Sequence, residues 1–304
     1  MKRLIILLIF IPFLSQSQIE GKQHNQLILR GATLINSTGA PPIGPVDIVI
    51  EKNIITKVQN VGYPGVPINE NRRPKLSKNG VEINCEGSYI LPGFIDTHGH
   101  IGGRSQGASP DYVFKLWMAH GITTIREPGG SLSHELKLEL KNKSEKNTIV
   151  APRIIAFSTF NSRVQSPDEA KEWVRENAKK GSDGIKFFGA PPEIMQAAIE
   201  ENKRLGLRST SHHAQLNVVR WNVLNSARAG LNSMEHWYGL PEALFNNRVI
   251  QNYPPDYNYQ NEQNRFEEAG KLWKQAAKPH SEHWNNVMDE LISLDFTISP
   301  TLNI

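Results

Sequence analysis

Two different rhythms of apolar and polar positions divide the chain. From Gln26 to about Leu91 the apolar residues come in short runs rich in Ile, Val and Leu: "QLILRGATLIN", "VDIVIEKNIITKVQ" and "VEINCEGSYIL". Gly, Pro and Asn punctuate them, as they do between strands. "EKN" between "DIVI" and "IITKV" predicts a hairpin turn, and the Pro-, Asn- and Lys-rich stretch 62–80 predicts an exposed loop. After Pro92 short apolar strands alternate with helical patterns. The predicted strands are "GFIDTH" (93–98), "ITTIRE" (122–127), "RIIAFS" (153–158), "GIKFFG" (184–189), "LRSTSH" (207–212), "LNSMEH" (231–236) and "FTISPT" (296–301). Between them, "SPDEAKEWVRENAKKG" shows helix punctuation: Ser166 at the cap, Pro167 in the first turn, acids early and Gly181 at the end. Strand–helix–strand units at this spacing predict a parallel sheet. Seven such strands point to an eight-stranded βα barrel more than to an open doubly wound sheet, for which no Gly-rich phosphate turn is present.

One interval breaks the rhythm. Some 60 residues separate His236 from the strand at Phe296, beginning with the Asn-, Gln- and Tyr-rich "NNRVIQNYPPDYNYQNEQNRF". This predicts an insertion over about 240–290 on one βα loop. Such a loop either roofs the barrel mouth or runs as a solvated excursion.

The first residues follow another pattern. "MKRLIILLIFIPFLSQSQ" has a basic start, an apolar run from Leu4 to Leu14 and small residues at Ser15 and Ser17. That is the layout of a secretory signal over 1–17, and the apolar run is too short to span a bilayer. The expectation is export to a periplasm or the exterior, with no membrane attachment after cleavage. Removing Lys2 and Arg3 lowers the net charge from +4 to +2, too weak and dispersed to argue for nucleic acid. The single cysteine, Cys85, excludes an internal disulfide and reads as a small strand residue.

The chemistry gathers at strand ends. Asp96, His98 and His100 alternate in "LPGFIDTHGHI" and so share one face of the first barrel strand. Lys186 sits among apolar neighbours in "GIKFFG", where a lysine is costly unless paired or modified. His213 closes "RSTSHH" and His236 closes "SMEH". The C-terminal ends of barrel strands are where such enzymes carry their active groups. The other histidines fall in the lead-in, helices or insertion and read as ordinary surface or core residues.

These residues in this order resemble the metal-dependent amidohydrolase superfamily, nearest its imidazolonepropionase-like and prolidase-like branch. The resemblance runs from about Gln26 to Ile304. It implies an α/β fold: an incomplete TIM-like (β/α)8 barrel over 92–304, carrying strands one to seven, with a small N-terminal β-sandwich domain over 18–91. In that family the second part of the β-domain comes from the C-terminus. It implies that His98 and His100 bind one metal, that Lys186 is carboxylated by CO2 and bridges two metals, and that His213 and His236 bind the second. His212 is the rival for the place of His213, and strand parity alone leaves the choice open. Zinc suits so histidine-rich a donor set, and manganese, iron or cobalt also fit it. The reaction implied is metal-assisted hydrolysis of a C–N bond in a small substrate: a dipeptide, an amide or a cyclic amide. Arg104 in "GGRSQGAS" and the tyrosine-rich insertion are the places to look for substrate contacts. The family's catalytic aspartate stands at the end of the eighth strand. The 212 residues from Gly93 to Ile304 fall short of the roughly 250 of a typical barrel. The expectation is therefore an N-terminal fragment lacking that strand and that residue, so no catalytic residue is assigned, with exposed strand edges that favour aggregation. The competing expectation is an inactive remnant or a binding protein on the same scaffold. A homo-oligomer is compatible with either.

Overall fold

The computed structural model describes residues 23–130, 132–160 and 163–302. The expected signal sequence lies outside the described residues. Among them, no helix is long and apolar enough to cross a membrane. The chain divides into two compact units, one formed mainly by residues 39–90 with the segment before 36, the other by residues 91–144 and 151–304.

The first unit is one five-stranded sheet. Its strands are β1 (Gln26–Leu34), β2 (Ile43–Glu51), β3 (Ile54–Asn60), β4 (Val81–Asn84) and β5 (Tyr89–Ile90). The order is β3-β2-β1-β4, with β5 also on β1. Glu51 pairs with Ile54 across the two residues Lys52 and Asn53, so "EKN" is the hairpin turn its composition predicts. The stretch 62–80 carries no strand, only a short 3-10 turn at Glu70–Arg72. The sandwich expectation is not met by the described residues. β4 pairs with Leu27–Arg30 and β5 with Thr33–Leu34, so both extend one sheet along β1 and start no second layer. The strands bury Ile28, Ala32, Val46 and Ile48. Asp47, also buried, accepts from the Arg30 guanidinium at 2.8 Å and from the Gly31 amide at 2.9 Å, which satisfies a charge that burial would otherwise penalise.

The second unit carries all seven predicted barrel strands: β6 (Phe94–Asp96), β7 (Ile122–Glu127), β8 (Arg153–Thr159), β9 (Gly184–Phe187), β10 (Arg208–Ser211), β11 (Ser233–Glu235) and β12 (Thr297–Ser299). They pair in chain order, each neighbour parallel, with no reversal. That order excludes the doubly wound alternative, which reverses at a switch point. The helices between them are α1 (Pro110–Ala119), α2 (His134–Glu145), α3 (Pro167–Lys180), α4 (Pro192–Arg204), α5 (Val223–Ala229), α6 (Leu240–Ala243), α7 (Glu262–Lys271) and α8 (Glu282–Ser293). The caps of α3 are those its sequence predicts. The Ser166 hydroxyl accepts from the Glu169 amide, and Gly181 ends the helix at φ 100°.

The sheet is curled into a half-barrel. In a flat sheet the first and seventh strands would stand about 29 Å apart at the usual 4.8 Å spacing. Here the hydroxyls of Thr97, just past β6, and Ser299, on β12, meet at 3.0 Å. Alternation then sorts the side chains. Ile185 and Phe187 of β9 face outward into a cluster with Val174 of α3 and Ile194 and Ala198 of α4. Met234 of β11 packs outward with Val223 and Ala227 of α5 and Leu291 of α8. The residues between these, Lys186, Ser233 and Glu235, are left for the inside of the curl. Gly184 opens β9 because a Cβ there would lie 2.4 Å from the Arg208 carbonyl oxygen and 2.5 Å from the Phe157 ring.

Candidate metal and active site

The inner ends of the strands converge on one cavity of about 830 Å³. His98, His100, Lys186, His212 and His236 line one side. Glu262, Arg265 and Phe266 of α7 line it too, so the insertion roofs the site.

β6 ends in a turn in which the Asp96 carboxylate accepts from the His98 amide at 2.9 Å. The turn presents both histidines, each backed by a carboxylate. His98 Nδ1 lies 2.6 Å from Glu235 Oε2, and His100 Nδ1 lies 3.2 Å from Glu127 Oε1. Glu127 is itself fixed by the amides of Ile101 and Gly129, each at 2.9 Å. A carboxylate on Nδ1 sets the tautomer and leaves Nε2 with its lone pair for another partner, as in histidines that ligate metal. His236 follows β11 at φ 61°, and its Nδ1 meets the Thr301 hydroxyl at 2.5 Å. The rings sit close: 5.1 Å between the centroids of His98 and His100, 5.1 Å for His98 and His236, and 4.9 Å for His212 and His236.

Burial and neighbouring charges keep His212 and His236 neutral. Burial, with the charges of Lys186 and His98, pushes His236 down to about 3. Burial holds His212 well below the usual imidazole range, with the His236 and Lys186 charges adding to it. Lys186 is 2% exposed, and burial lowers it to about 8 against the pull of Glu235. A buried amine so depressed has a sizeable neutral fraction near neutral pH, the form that reacts with CO2. Neutral imidazoles are likewise the ligand form. The donor set therefore fits a divalent cation in its chemistry. As the side chains stand, no group of three His, Cys, Asp or Glu among the described residues is drawn in around a single point.

The structure does not bring His213 to this cavity; His212 stands there instead. Lys186 and Thr210 are register partners on the inner face, and the His212 amide continues the ladder by donating to the Phe187 carbonyl at 2.8 Å. Residue 212, two beyond 210, therefore shares the inner face, while residue 213 turns to the outer one. There His213 is buried, its Nε2 2.9 Å from the Ser226 hydroxyl. The replacement His212→Asn is expected to lower bound divalent metal at least tenfold with little change in unfolding midpoint. His213→Asn is expected to leave metal content intact and to lower the midpoint. Metal analysis and thermal unfolding of the two variants check this.

Sequence reasoning missed the acids behind the histidines. Glu235 is fully buried and also takes the Arg126 guanidinium at 2.5 Å and the Thr210 hydroxyl at 2.5 Å. Burial pushes it up, but the His98 hydrogen bond, the charges of Lys186 and Arg126 and the Thr210 hydroxyl together hold it down to about 2. The available signal was a carboxylate at the end of each of two apolar strands, "ITTIRE" and "LNSMEH". Arg104 lies in an exposed 3-10 turn and does not line the cavity; the arginine that does is Arg265.

No protein-family profile matches the chain. Adenine deaminase 2 of Desulfotalea psychrophila is 31% identical over 105 residues, which is 34% of this chain and 15% of that protein. An adenine deaminase of Bacillus velezensis is 26% identical over 168 residues, 51% of this chain and 28% of that one. The chain thus matches less than a third of the length of either relative. Among solved structures, a Xaa-Pro dipeptidase with methionine bound in its active site matches 90% of this chain and 79% of its own. The TM-score is 0.53 and the identity 17%, a likeness of fold. The recognition drawn from the strand-end residues holds: the chain resembles the amidohydrolase superfamily in sequence and in its curled parallel sheet.

Proposed function

We propose that this chain carries the metal-binding face of a hydrolase that splits a C–N bond of a small molecule with an activated water. The observation that supports this most is the convergence of four histidines and a buried lysine, from four different strands, on one cavity. His98, His100, His212 and His236 would hold one or two divalent ions, zinc by preference, with Lys186 as a carbamate between them. Such an ion supplies Lewis acidity and lowers the pKa of a bound water. The chain's own residues do the rest. Glu235 and Glu127 fix the rings of His98 and His100. Arg126 and Thr210 hold Glu235 in place. α7 adds Glu262, Arg265 and Phe266 to the cavity wall, opposite charges beside an aromatic ring. Proteins named for adenine deamination and for Xaa-Pro dipeptide cleavage both act on C–N bonds, which supports the bond type; the substrate we propose is an amide, a cyclic amide or a dipeptide. We further propose that the protein is exported after removal of residues 1–17.

The test is metal content and turnover in the same preparation. The expected result is one to two divalent ions per chain by elemental analysis, loss of hydrolysis of a dipeptide and cyclic-amide panel on chelation, and recovery on adding zinc. Unchanged hydrolysis by metal-free protein overturns the proposal.

A further inference from the structure

Three histidines of the cavity are held at Nδ1, but not by the same kind of group. His98 and His100 rest on the carboxylates of Glu235 and Glu127. His236 rests on a hydroxyl, that of Thr301, at 2.5 Å. Thr301 belongs to the segment after β12, and Pro300, Thr301 and Leu302 all line the cavity. The β11–β12 ladder runs up to it: Glu235 pairs with Ser299, and the His236 amide donates to the Ser299 carbonyl at 2.8 Å. Both residues of the contact depart from ordinary backbone geometry. His236 stands at φ 61° and Thr301 at φ 50°. Glycine and short polar residues visit the left-handed region, whereas a β-branched residue there is an outlier. Such a conformation persists only where its surroundings over-determine it, and it clusters at functional positions.

We infer that Thr301 is a positioning residue that fixes the tautomer and the aim of His236 for metal binding. A hydroxyl has one hydrogen to give and two lone pairs to offer. The Thr301 hydrogen is already committed, since Oγ1 donates to the Pro300 carbonyl at 2.8 Å. Toward His236 the oxygen can therefore only accept, so the imidazole hydrogen sits on Nδ1. Nε2 then keeps its lone pair, the form in which a ring nitrogen takes a metal. The rings beside it are the other candidate ligands, with His98 at 5.1 Å and His212 at 4.9 Å between centroids. A hydroxyl carries no charge. Thr301 thus sets orientation and tautomer without the gain in basicity that a carboxylate brings to His98 and His100. The hydrogen bond also accounts for the strained backbone. Glycine would relieve the strain at residue 301 but has no hydroxyl to offer His236. The inference rests on the metal-binding reading of the cavity and adds to it a residue that touches neither metal nor substrate.

The test has two readouts on the full chain, the first of them on metal-free protein. With isotope-labelled histidine, long-range nitrogen–proton correlations locate the hydrogen on each imidazole, and the signal missing in His236→Asn identifies His236. The hydrogen is expected on Nδ1 in the wild type and in Thr301→Ser, and no longer fixed there in Thr301→Val. The second readout is zinc titration. Thr301→Val keeps the shape and loses the hydroxyl, and is expected to weaken zinc by roughly tenfold to a hundredfold, the range for partners of ligating histidines. Thr301→Ser is expected to bind zinc nearly as the wild type does. Thr301→Gly separates strain from hydrogen bonding: zinc should weaken as in Thr301→Val, while the unfolding midpoint stands no lower than that of Thr301→Val, which keeps the strain. A hydrogen on Nε2 in the wild type, or equal zinc affinity in the wild type and Thr301→Val, overturns the inference and leaves Thr301 a part of the fold alone. Wild-type protein that takes up no zinc sinks the metal reading, and a Thr301-dependent hydrogen on Nδ1 in that same sample keeps the contact. Zinc binding that ignores Thr301 sinks the positioning role and keeps the metal reading.

Discussion

Replacing His98 by asparagine is expected to lower bound divalent metal to background and turnover by roughly a thousandfold, while thermal unfolding stays within a few degrees of wild type. The magnitude is that of losing several kcal/mol of metal-derived charge stabilisation. The separation of effects follows from geometry. The asparagine amide nitrogen falls close to the place of Nδ1, so it can still donate to Glu235 Oε2, where the histidine now sits at 2.6 Å. What disappears is Nε2, the atom turned away from that carboxylate. Fold and function are thus carried by opposite sides of one ring. Elemental analysis, turnover and an unfolding curve on the same sample decide the matter. If the variant keeps its metal, His98 is a structural partner of Glu235 and nothing more.

The asymmetry between what the sequence revealed and what it hid has a physical origin. The seven strands were legible because each is a short run, most of them with β-branched or aromatic residues, set between turn residues and helical patterns. Their parallel order followed because helices of the right length fill the gaps. His98, His100, Lys186 and His236 were legible because a polar group at the end of a buried strand contradicts its surroundings. The choice between His212 and His213 was not. It depends on the register that pairs Lys186 with Thr210, and register is a relation between two segments that neither carries alone. The single N-terminal sheet was hidden for the same reason. β4 and β5 read as strands, but nothing in them says that both lie along β1. Glu127 and Glu235 were overlooked because a lone carboxylate in a sequence gives no sign of how many donors will meet it. The roof at α7 was legible only as one of two alternatives, since the polar composition of "NEQNRF" is common to covering and to solvated helices.

Glu235→Ala is expected to destabilise the fold by about 3–5 kcal/mol, the cost of leaving a buried charge without its partner. The carboxylate is fully buried and joins four elements: Arg126 of β7, His98 after β6, Thr210 of β10 and its own strand β11. Removing it strands the guanidinium of Arg126, whose other contacts are a backbone carbonyl at 2.6 Å, the Ser233 hydroxyl at 3.3 Å and the Phe157 ring. Against a typical domain stability of roughly 5–15 kcal/mol this is a large share, and a fall in midpoint on the order of 10 °C follows. A second variant separates charge from packing. In Arg126→Met with Glu235→Leu both charges are gone and the volume is nearly kept, so most of the lost stability should return. Metal binding should not return with it, because His98 has lost the acceptor that sets its tautomer. Recovery of stability together with metal would mean that the network serves the fold alone. Recovery of stability without metal would mean that a buried ion pair costly to the fold is kept in this protein to aim one imidazole.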